Sequence, residues 1–137
     1  MLKKINTHLL DCTLRDGSYE NNFGFTKKDT FEICRSLEKA GVKYIEVGHG
    51  LGLGASKNTK FKAVATDKNY LEAAKKAVKS AKWGMFCIPG IAKLDDLKMA
   101  ADYGMKFVRV GTNVEDHKKA EPFVKLAKKL NLFVCSN

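Results

Sequence analysis

The chain has 137 residues, of which 45% are hydrophobic and 29% charged, as is typical of a single globular domain, here 1–137. No apolar run approaches the ~18 residues of a membrane span, and Met1–Asn6 lacks the apolar region and cleavage site of a secretory signal. We therefore expect a cytoplasmic protein with no membrane partner. Despite the net charge of +10 we also expect no nucleic-acid partner, because only Arg15, Arg35 and Arg109 of the 25 basic residues are arginines and the lysines are dispersed.

Five short apolar runs alternate with longer amphipathic stretches. Each run is too short for a helix, and several are rich in valine, isoleucine and aromatic residues, which favours strands buried on both faces of a parallel sheet. In chain order the runs are Thr7–Cys12, Lys43–Gly48, Trp83–Ile88, Lys106–Gly111 and Leu132–Cys135.

Four amphipathic helices are predicted between these strands. Thr26 suits the N-terminus of the first, where Asp29 three residues later resembles a capping box with Asp in place of Glu, and Gly41 suits its end. The second begins at Asp67, the third ends at Gly104, and Pro122 suits the first turn of the fourth. The residues expected to face the sheet are Phe31, Cys34 and Leu37 in the first helix, Leu71, Ala74, Val78 and Ala81 in the second, Leu94, Leu97 and Ala101 in the third, and Phe123, Val124, Ala127 and Leu130 in the fourth.

An internal repeat indicates the architecture. Lys39–Gly48 and Asp102–Gly111 share one pattern at an offset of 63 residues, about two βα units. We therefore predict an α/β fold, a partial TIM (β/α)8 barrel with about five parallel strands and four helices. Because a closed barrel takes ~250 residues, the chain would be the N-terminal part of a longer protein or would self-associate to cover an open sheet edge. A complete doubly wound sheet, as in flavodoxin-like binding domains, is the alternative.

Charged residues follow the first two predicted strands, where parallel α/β folds place active groups. Asp16 could bind a hard divalent cation, and Arg15 beside it could stabilise an oxyanion or enolate. A surface turn with a structural ion pair is the simpler interpretation. Glu46 interrupts an apolar strand and needs a partner, for which Arg15 is the natural candidate, either in an active site or in a structural salt bridge.

A glycine-rich stretch, Gly48–Gly54, follows the second predicted strand. No helix opens directly after it, so the dinucleotide-binding fingerprint does not fit. We expect instead an irregular segment, His49–Thr66, at the carboxyl ends of the strands, and long loops of this kind are often functional. His49 is a candidate substrate-binding residue, although an isolated loop histidine is more often structural.

These motifs resemble the DRE metallolyase (hydroxymethylglutaryl-CoA lyase-like) superfamily. Leu9–Gly17, which reads LLDCTLRDG, is similar to that superfamily's first strand. Ile45–Ser56 and Ile88–Ala101 are closest to its 4-hydroxy-2-oxovalerate aldolase branch, and Val108–Thr112 fits the fourth strand. The resemblance runs in order over essentially the whole chain.

The resemblance implies a metal-dependent carbon–carbon lyase. It makes Asp16 a ligand of manganese or magnesium, Arg15 the residue that binds substrate and stabilises the enolate, and Glu46 the superfamily's glutamate on the second strand. Such enzymes hold a small 2-oxo acid on the cation, and the aldolase branch cleaves a 4-hydroxy-2-oxo acid to pyruvate and an aldehyde.

Two features depart from the family pattern. Tyr19 stands where the aldolase branch has a histidine, and tyrosine is a poor base near neutrality, so Tyr19 as a catalytic residue would need a different proton path. The His-x-His pair that supplies the family's other metal ligands has no counterpart in the sequence. We therefore expect this half alone to bind metal weakly and to be inactive.

Two alternative functions remain open. One is a Claisen-type acyltransferase of the same superfamily, although the glycine-rich loop after Glu46 favours the aldolase branch. The other is a non-catalytic half-barrel with a binding or assembly role, whose partner would be a second copy in a homo-oligomer or a missing C-terminal half.

Overall fold

The computed structural model describes residues 7–137, so Met1–Asn6, for which the sequence predicts no secretory signal, lies outside the described residues. Five strands form one parallel sheet in the order β1-β2-β3-β4-β5. The strands are β1 (Leu10–Asp11), β2 (Tyr44–Val47), β3 (Lys82–Cys87), β4 (Phe107–Val110) and β5 (Phe133–Ser136). The helices are α1 (Lys27–Lys39), α2 (Asp67–Ala77), α3 (Leu94–Asp102) and α4 (Glu121–Lys129), with 3-10 segments at Asp16–Tyr19, Ala55–Lys57 and Val114–Ala120.

Each strand pairs in parallel with the next strand along the chain. This sequential order confirms the predicted α/β architecture of a partial (β/α)8 barrel, and it differs from a doubly wound sheet, whose strand order reverses at a switch point. Right-handed crossovers that all step in one direction place their helices on one side of a sheet. The four helices therefore cover the outer face, and in the described part of the chain no helix covers the inner face.

Side chains alternate between these two faces, because a strand has a period of two residues. The outer-face residues that are fully buried beneath the helices are Ile45, Val47, Met85, Cys87, Val108 and Val110. The inner face carries a lower, apolar layer of Leu10, Tyr44, Phe107 and Phe133, and an upper layer of Cys12, Glu46, Phe86, Arg109 and Cys135. The polar groups of the upper layer lie near the carboxyl ends of the strands, whereas Lys82, at the start of β3, lies over the ring of Tyr44 in the lower layer.

Gly84 leaves β3 without a side chain in the middle of the inner face, and the Phe107 ring occupies the space above it. It pairs with Glu46 on β2 and with Phe107 on β4, and a Cβ atom at this position would lie 2.5 Å from the Phe107 ring. The rings of Tyr44 and Phe107 meet edge to face with centroids 6.0 Å apart. Because β3 contributes no side chain here, groups on β2 and β4 can interact across it.

Helix α1 forms as its sequence predicts. The Thr26 hydroxyl accepts a hydrogen bond from the backbone N–H of Asp29, and the Asp29 carboxylate accepts one from the backbone N–H of Thr26, which completes a capping box. Gly41 follows the helix with φ of +90°, the left-handed conformation that glycine adopts without steric cost. No helix within residues 7–137 is long and apolar enough to cross a membrane.

Two other helices differ from the prediction. Helix α2 ends at Ala77, so Val78 and Ala81 lie in the following turn rather than on the helix. Helix α3 turns Leu97 and Ala100 inward, while Leu94 is 38% exposed.

Leu94 is exposed in α3 because of two polar contacts in the first turn of this helix. The Asp96 carboxylate accepts hydrogen bonds from the backbone N–H of Lys93 at 2.9 Å and from Lys57 Nζ at 3.0 Å. Asp96 is therefore drawn into the protein, and Leu94, two residues earlier, turns towards solvent.

Helix α2 ends early because a glutamate of the neighbouring helix α1 binds the residues that follow it. The Glu38 carboxylate, near the end of α1, accepts backbone N–H groups of Lys79, Ser80 and Ala81 at 2.7–3.2 Å. These hydrogen bonds replace the intrahelical bonds that would extend α2. Those from Ala81 and Ser80 have the largest effect on the pKa of the Glu38 carboxyl and hold it below its usual value.

We expect Glu38→Gln to lower the free energy of unfolding by about 1 kcal/mol at pH 7, because the amide is a weaker acceptor than a carboxylate. A depressed pKa stabilises the fold above the unfolded-state value and loses this effect as pH falls through the folded value. The difference should therefore shrink below about pH 4. Urea unfolding at pH 7 and at pH 3 tests this, with the exposed Glu32→Gln as control. Equal losses at both pH values would contradict it.

Candidate active site

The turn after β1 directs Arg15 towards the second strand. The backbone N–H groups of Arg15, Asp16 and Gly17 all donate to the carbonyl of Cys12, at 3.1, 2.8 and 3.2 Å. This folds the chain tightly back into the 3-10 segment Asp16–Tyr19. The Arg15 side chain consequently lies over the carboxyl end of β2, where the parallel strands bring their ends together.

Glu46 is fully buried at the end of β2, and both of its carboxylate oxygens bind arginine. Oε1 accepts from Arg15 Nε at 2.7 Å and from Arg109 Nη2 at 2.7 Å. Oε2 accepts from Arg109 Nε at 2.6 Å. The Arg15–Glu46 contact indicated by the sequence is therefore present, and Arg109 on β4 adds a second arginine with two-point geometry. We call these three residues the Arg–Glu–Arg cluster.

The two arginines keep the buried carboxylate charged. Burial raises the pKa of the Glu46 carboxyl, but hydrogen bonds from Arg109 and Arg15 outweigh burial and hold the pKa below its usual value. The hydrogen bonds between Arg109 and Glu46 also raise the pKa of Arg109. Both guanidinium groups also lie against the ring of Phe86, at 4.7 Å for Arg15 and 5.2 Å for Arg109. The cluster thus has two cations, one anion and an aromatic surface.

Arg109 was not among the residues that the sequence singled out for the site. The internal repeat contained the signal, since Arg109 lies 63 residues after Glu46, at the equivalent position of the second copy. Equivalent positions on β2 and β4 point to the same face of the sheet, and β3 has no side chain at Gly84, the residue that pairs with Glu46. The sequence alone could therefore have predicted an ion pair between Glu46 and Arg109.

Asp16 stands at the edge of the cluster. Its side chain is 65% exposed, and its Oδ1 accepts a hydrogen bond from Arg15 Nη1 at 2.9 Å. Within residues 7–137, no group of three or more histidine, cysteine, aspartate or glutamate side chains could hold a metal ion. These residues therefore do not complete a metal centre, and the assignment of Asp16 as one ligand stays a prediction.

Tyr19 lies beside the cluster at the end of the 3-10 segment and is 44% exposed. Its ring packs on Gly50, where a Cβ atom would lie 2.6 Å from a ring carbon. The carbonyl of Gly50 in turn accepts from Arg15 Nη1 at 3.4 Å. The phenol is thus near Arg15 and open to solvent, and its catalytic role stays a prediction.

His49 is fully buried and both ring nitrogens have backbone partners. Nδ1 accepts the backbone N–H of Leu51 at 3.0 Å, so the proton is on Nε2, which donates to the carbonyl of Phe61 at 2.7 Å. The ring stacks on Phe23 at 4.1 Å between centroids. His49 therefore connects the start of the irregular segment to Phe61, and this geometry does not favour its predicted contact with substrate.

A cavity of about 320 Å³ opens at the carboxyl ends of β3 and β4. Phe86 lines this cavity and also contacts both arginines, so the cavity adjoins the cluster. The other lining residues include Ile88, Thr112, Asn113 and Lys119. None of the three cluster residues lines this cavity, whereas Arg109 lines a second cavity, of about 260 Å³, on the inner face.

Comparisons with known proteins agree with this picture. A 4-hydroxy-2-oxovalerate aldolase of Carboxydothermus hydrogenoformans is 41% identical over 132 residues, and one of Moorella thermoacetica is 43% identical over 125 residues. The matches cover 96% and 91% of this chain but 39% and 37% of the relatives, so the chain spans less than two fifths of their length.

The fold is also found in a solved structure, the N-terminal domain of a proposed aldolase from Bacteroides vulgatus. It matches with a TM-score of 0.75 at 20% identity, over 96% of this chain and 44% of that one, and at this identity the likeness concerns the fold alone. The sequence model of the HMGL-like family matches residues 6–130. The predicted resemblance is thereby confirmed, and the chain belongs to the HMGL-like family.

Proposed function

We propose that the chain is the N-terminal part of a divalent-metal-dependent aldolase or lyase that cleaves a 4-hydroxy-2-oxo acid to pyruvate and an aldehyde. The observation that carries this proposal is the buried Glu46 carboxylate, which holds Arg15 at the carboxyl end of the sheet beside the exposed Asp16. The names of the two aldolases that match nearly the whole chain support it. By itself this part is incomplete, and we propose that it is inactive.

The proposed cleavage is a reversed aldol reaction. A proton leaves the C4 hydroxyl group, the C3–C4 bond breaks, and its electron pair moves towards the C2 oxygen to form the enolate of pyruvate. Protonation at C3 then gives pyruvate. Arg15 would stabilise the negative charge on the C2 oxygen, because a cation fixed before the reaction needs no reorganisation as that charge develops.

Tyr19 is the proposed proton-transfer residue of this part of the site. Its ring is held on Gly50, and Gly50 is hydrogen-bonded to Arg15, so the phenol is near the group that binds the oxyanion. Transfer through a solvent-exposed phenol would explain how the site works without the histidine that the aldolase branch has at this position.

A divalent cation would supply Lewis-acid polarisation of the substrate carbonyl. Asp16 is the candidate ligand within residues 7–137, because its carboxylate is exposed at a strand end and its Oδ2 accepts no hydrogen bond from these residues. The remaining ligands would come from outside residues 7–137. We also propose a cytoplasmic location, since the four cysteines are free thiols.

A second candidate function is assembly through the inner face. Phe133 on the terminal strand is 61% exposed, and the lower apolar layer lines an open cavity of about 260 Å³. An apolar face of this kind favours a covering partner. A Claisen-type acyltransferase is the further alternative within the same family.

The full-length product of the gene tests the activity. We expect manganese-dependent release of pyruvate from a 4-hydroxy-2-oxo acid, and Arg15→Gln should lower kcat by about 10²-fold or more through loss of the oxyanion donor. The exposed Arg35→Gln is the matched control and should leave kcat unchanged. Consumption of acetyl-CoA without pyruvate release would instead indicate the acyltransferase.

Titration of the 137-residue chain with manganese should give only weak binding, because a single carboxylate ligand holds a divalent cation poorly. Isothermal titration calorimetry measures this, and Asp16→Asn should abolish the residual heat. Asp95→Asn, which alters a carboxylate paired with Lys98 on the surface, should not. Tight one-site binding by the unaltered chain would contradict the prediction.

Size-exclusion chromatography of the same chain tests the assembly role. Coverage of the inner face by a second copy predicts a dimer, and Phe133→Lys should convert it to a monomer by placing a charge in the apolar layer. The control is Val114→Lys, since Val114 is exposed on a segment away from the inner face. A monomer at all concentrations would count against self-assembly.

A further inference from the structure

We propose that Arg109 is a positioning residue that keeps a terminal nitrogen of Arg15 free to bind the substrate oxyanion. This inference deepens the proposed function and rests on it. Arg109 would act without touching the substrate, by occupying the Glu46 oxygen that Arg15 would otherwise bind.

The two arginines use the same carboxylate differently. Arg109 makes a two-point contact, with Nε on Oε2 and Nη2 on Oε1. Arg15 makes a one-point contact, with Nε on Oε1. In a guanidinium group Nε and Nη2 point in the same direction and together match the two oxygens of a carboxylate. Arg109 therefore makes the two-point contact with Glu46 that Arg15 could otherwise make.

The hydrogen bonds of the three Arg15 nitrogens identify the donor that remains available. Nε binds Glu46, and Nη1 binds Asp16 and the carbonyl of Gly50. Nη2 donates no hydrogen bond within residues 7–137. Nη2 is also accessible to solvent. Within residues 7–137, Asp67 Oδ1 is the one solvent-inaccessible side-chain nitrogen or oxygen atom without a hydrogen-bond partner, and Arg15 Nη2 is therefore not such an atom. Arg15 thus retains one donor for a ligand.

Removal of Arg109 would change which nitrogens of Arg15 bind Glu46. Oε2 of Glu46 would then be buried without a hydrogen-bond donor, which costs more free energy for a charged carboxylate than for a neutral group. Arg15 Nη2 would be an available donor, because Arg15 Nε already binds Glu46 Oε1, and a rotation of the carboxylate would allow Arg15 to bind both oxygens. Arg15 would stay in place and charged, but the donor needed by the oxyanion would be occupied.

The position of Arg109 fits such an indirect role. It lies on β4, two strands away from Glu46, and reaches it over β3, which has no side chain at Gly84 beside Glu46. Its Nη2 also approaches Cys12 Sγ at 3.9 Å, and its guanidinium lies on Phe86. These contacts fix Arg109 from three sides, so that its own two-point contact with Glu46 is held in one orientation.

Arginine side-chain NMR tests the inference directly, because Arg15, Arg35 and Arg109 are the three arginines of the sequence. In the unaltered chain, Arg109 should show one slowly rotating, exchange-protected Nη group, whereas the Nη2 protons of Arg15 should exchange freely. In Arg109→Gln, exchange of the Arg15 Nη2 protons should slow by about tenfold or more. Arg109→Lys, which still offers a donor to Oε2, should remain close to the unaltered chain.

Several outcomes would overturn the inference. One is an Arg15 Nη2 group already locked in the unaltered chain, a result that needs no variant to fold. Another is unchanged Arg15 exchange in Arg109→Gln while the backbone amide spectrum shows an intact fold. A purely structural role would instead alter backbone amides of β3 and β4 and leave the two substitutions equally harmful.

Kinetics of the full-length protein give the second readout. Arg109→Gln should lower kcat for pyruvate release by about 10²-fold with little change in KM, since misplacement of one donor acts mainly on the transition state. Arg109→Lys should restore most of kcat. If the unaltered protein releases no pyruvate, the proposed function fails, while the NMR result still decides whether Arg109 controls Arg15.

Discussion

Burial of the Glu46 carboxylate is the constraint on which the upper part of the sheet depends. A buried charge without partners is strongly unfavourable, so β2 can carry this residue only if cations reach it from neighbouring elements. Arg15 reaches it from the turn after β1, and Arg109 reaches it from β4 over the intervening strand β3. The carboxylate therefore connects three strands of the sheet, and the positions of both arginines follow from its need for compensation.

An aromatic stack supports the same site from the side of the irregular segment. Tyr19, Phe23 and His49 pack in sequence, with centroid distances of 5.1 and 4.1 Å. Phe23 has φ of +58°, which is unusual for a bulky residue and indicates that its surroundings fix it there. The stack leaves no space for a side chain at Gly50, so the Gly50 carbonyl lies against Arg15. Arg15 is thus held by a buried anion on one side and by a backbone acceptor on the other.

Local sequence predicted most of the framework, because strand and helix signals act over a few residues. All five strands and the capping box of α1 follow from apolar runs and from Thr26 with Asp29. The errors arose where a distant side chain competed with local preference. Glu38 ended α2 early by binding the next turn. At the start of α3, Asp96 binds both the backbone N–H of Lys93 and Lys57 Nζ. The contacts of Glu38 and Lys57 are not visible in local periodicity.

The sequence by itself determined the order of strands and helices, the family, and the presence of Arg15, Asp16 and Glu46 at strand ends, since these depend on residue types and short spacings. Only the tertiary structure decided which groups meet. Arg109 is 63 residues from Glu46 in the chain yet donates two hydrogen bonds to it. His49, by contrast, is near the site in the chain but spends both ring nitrogens on backbone partners. The physical reason is that hydrogen bonding and burial depend on distances in space, which follow from sheet register and packing.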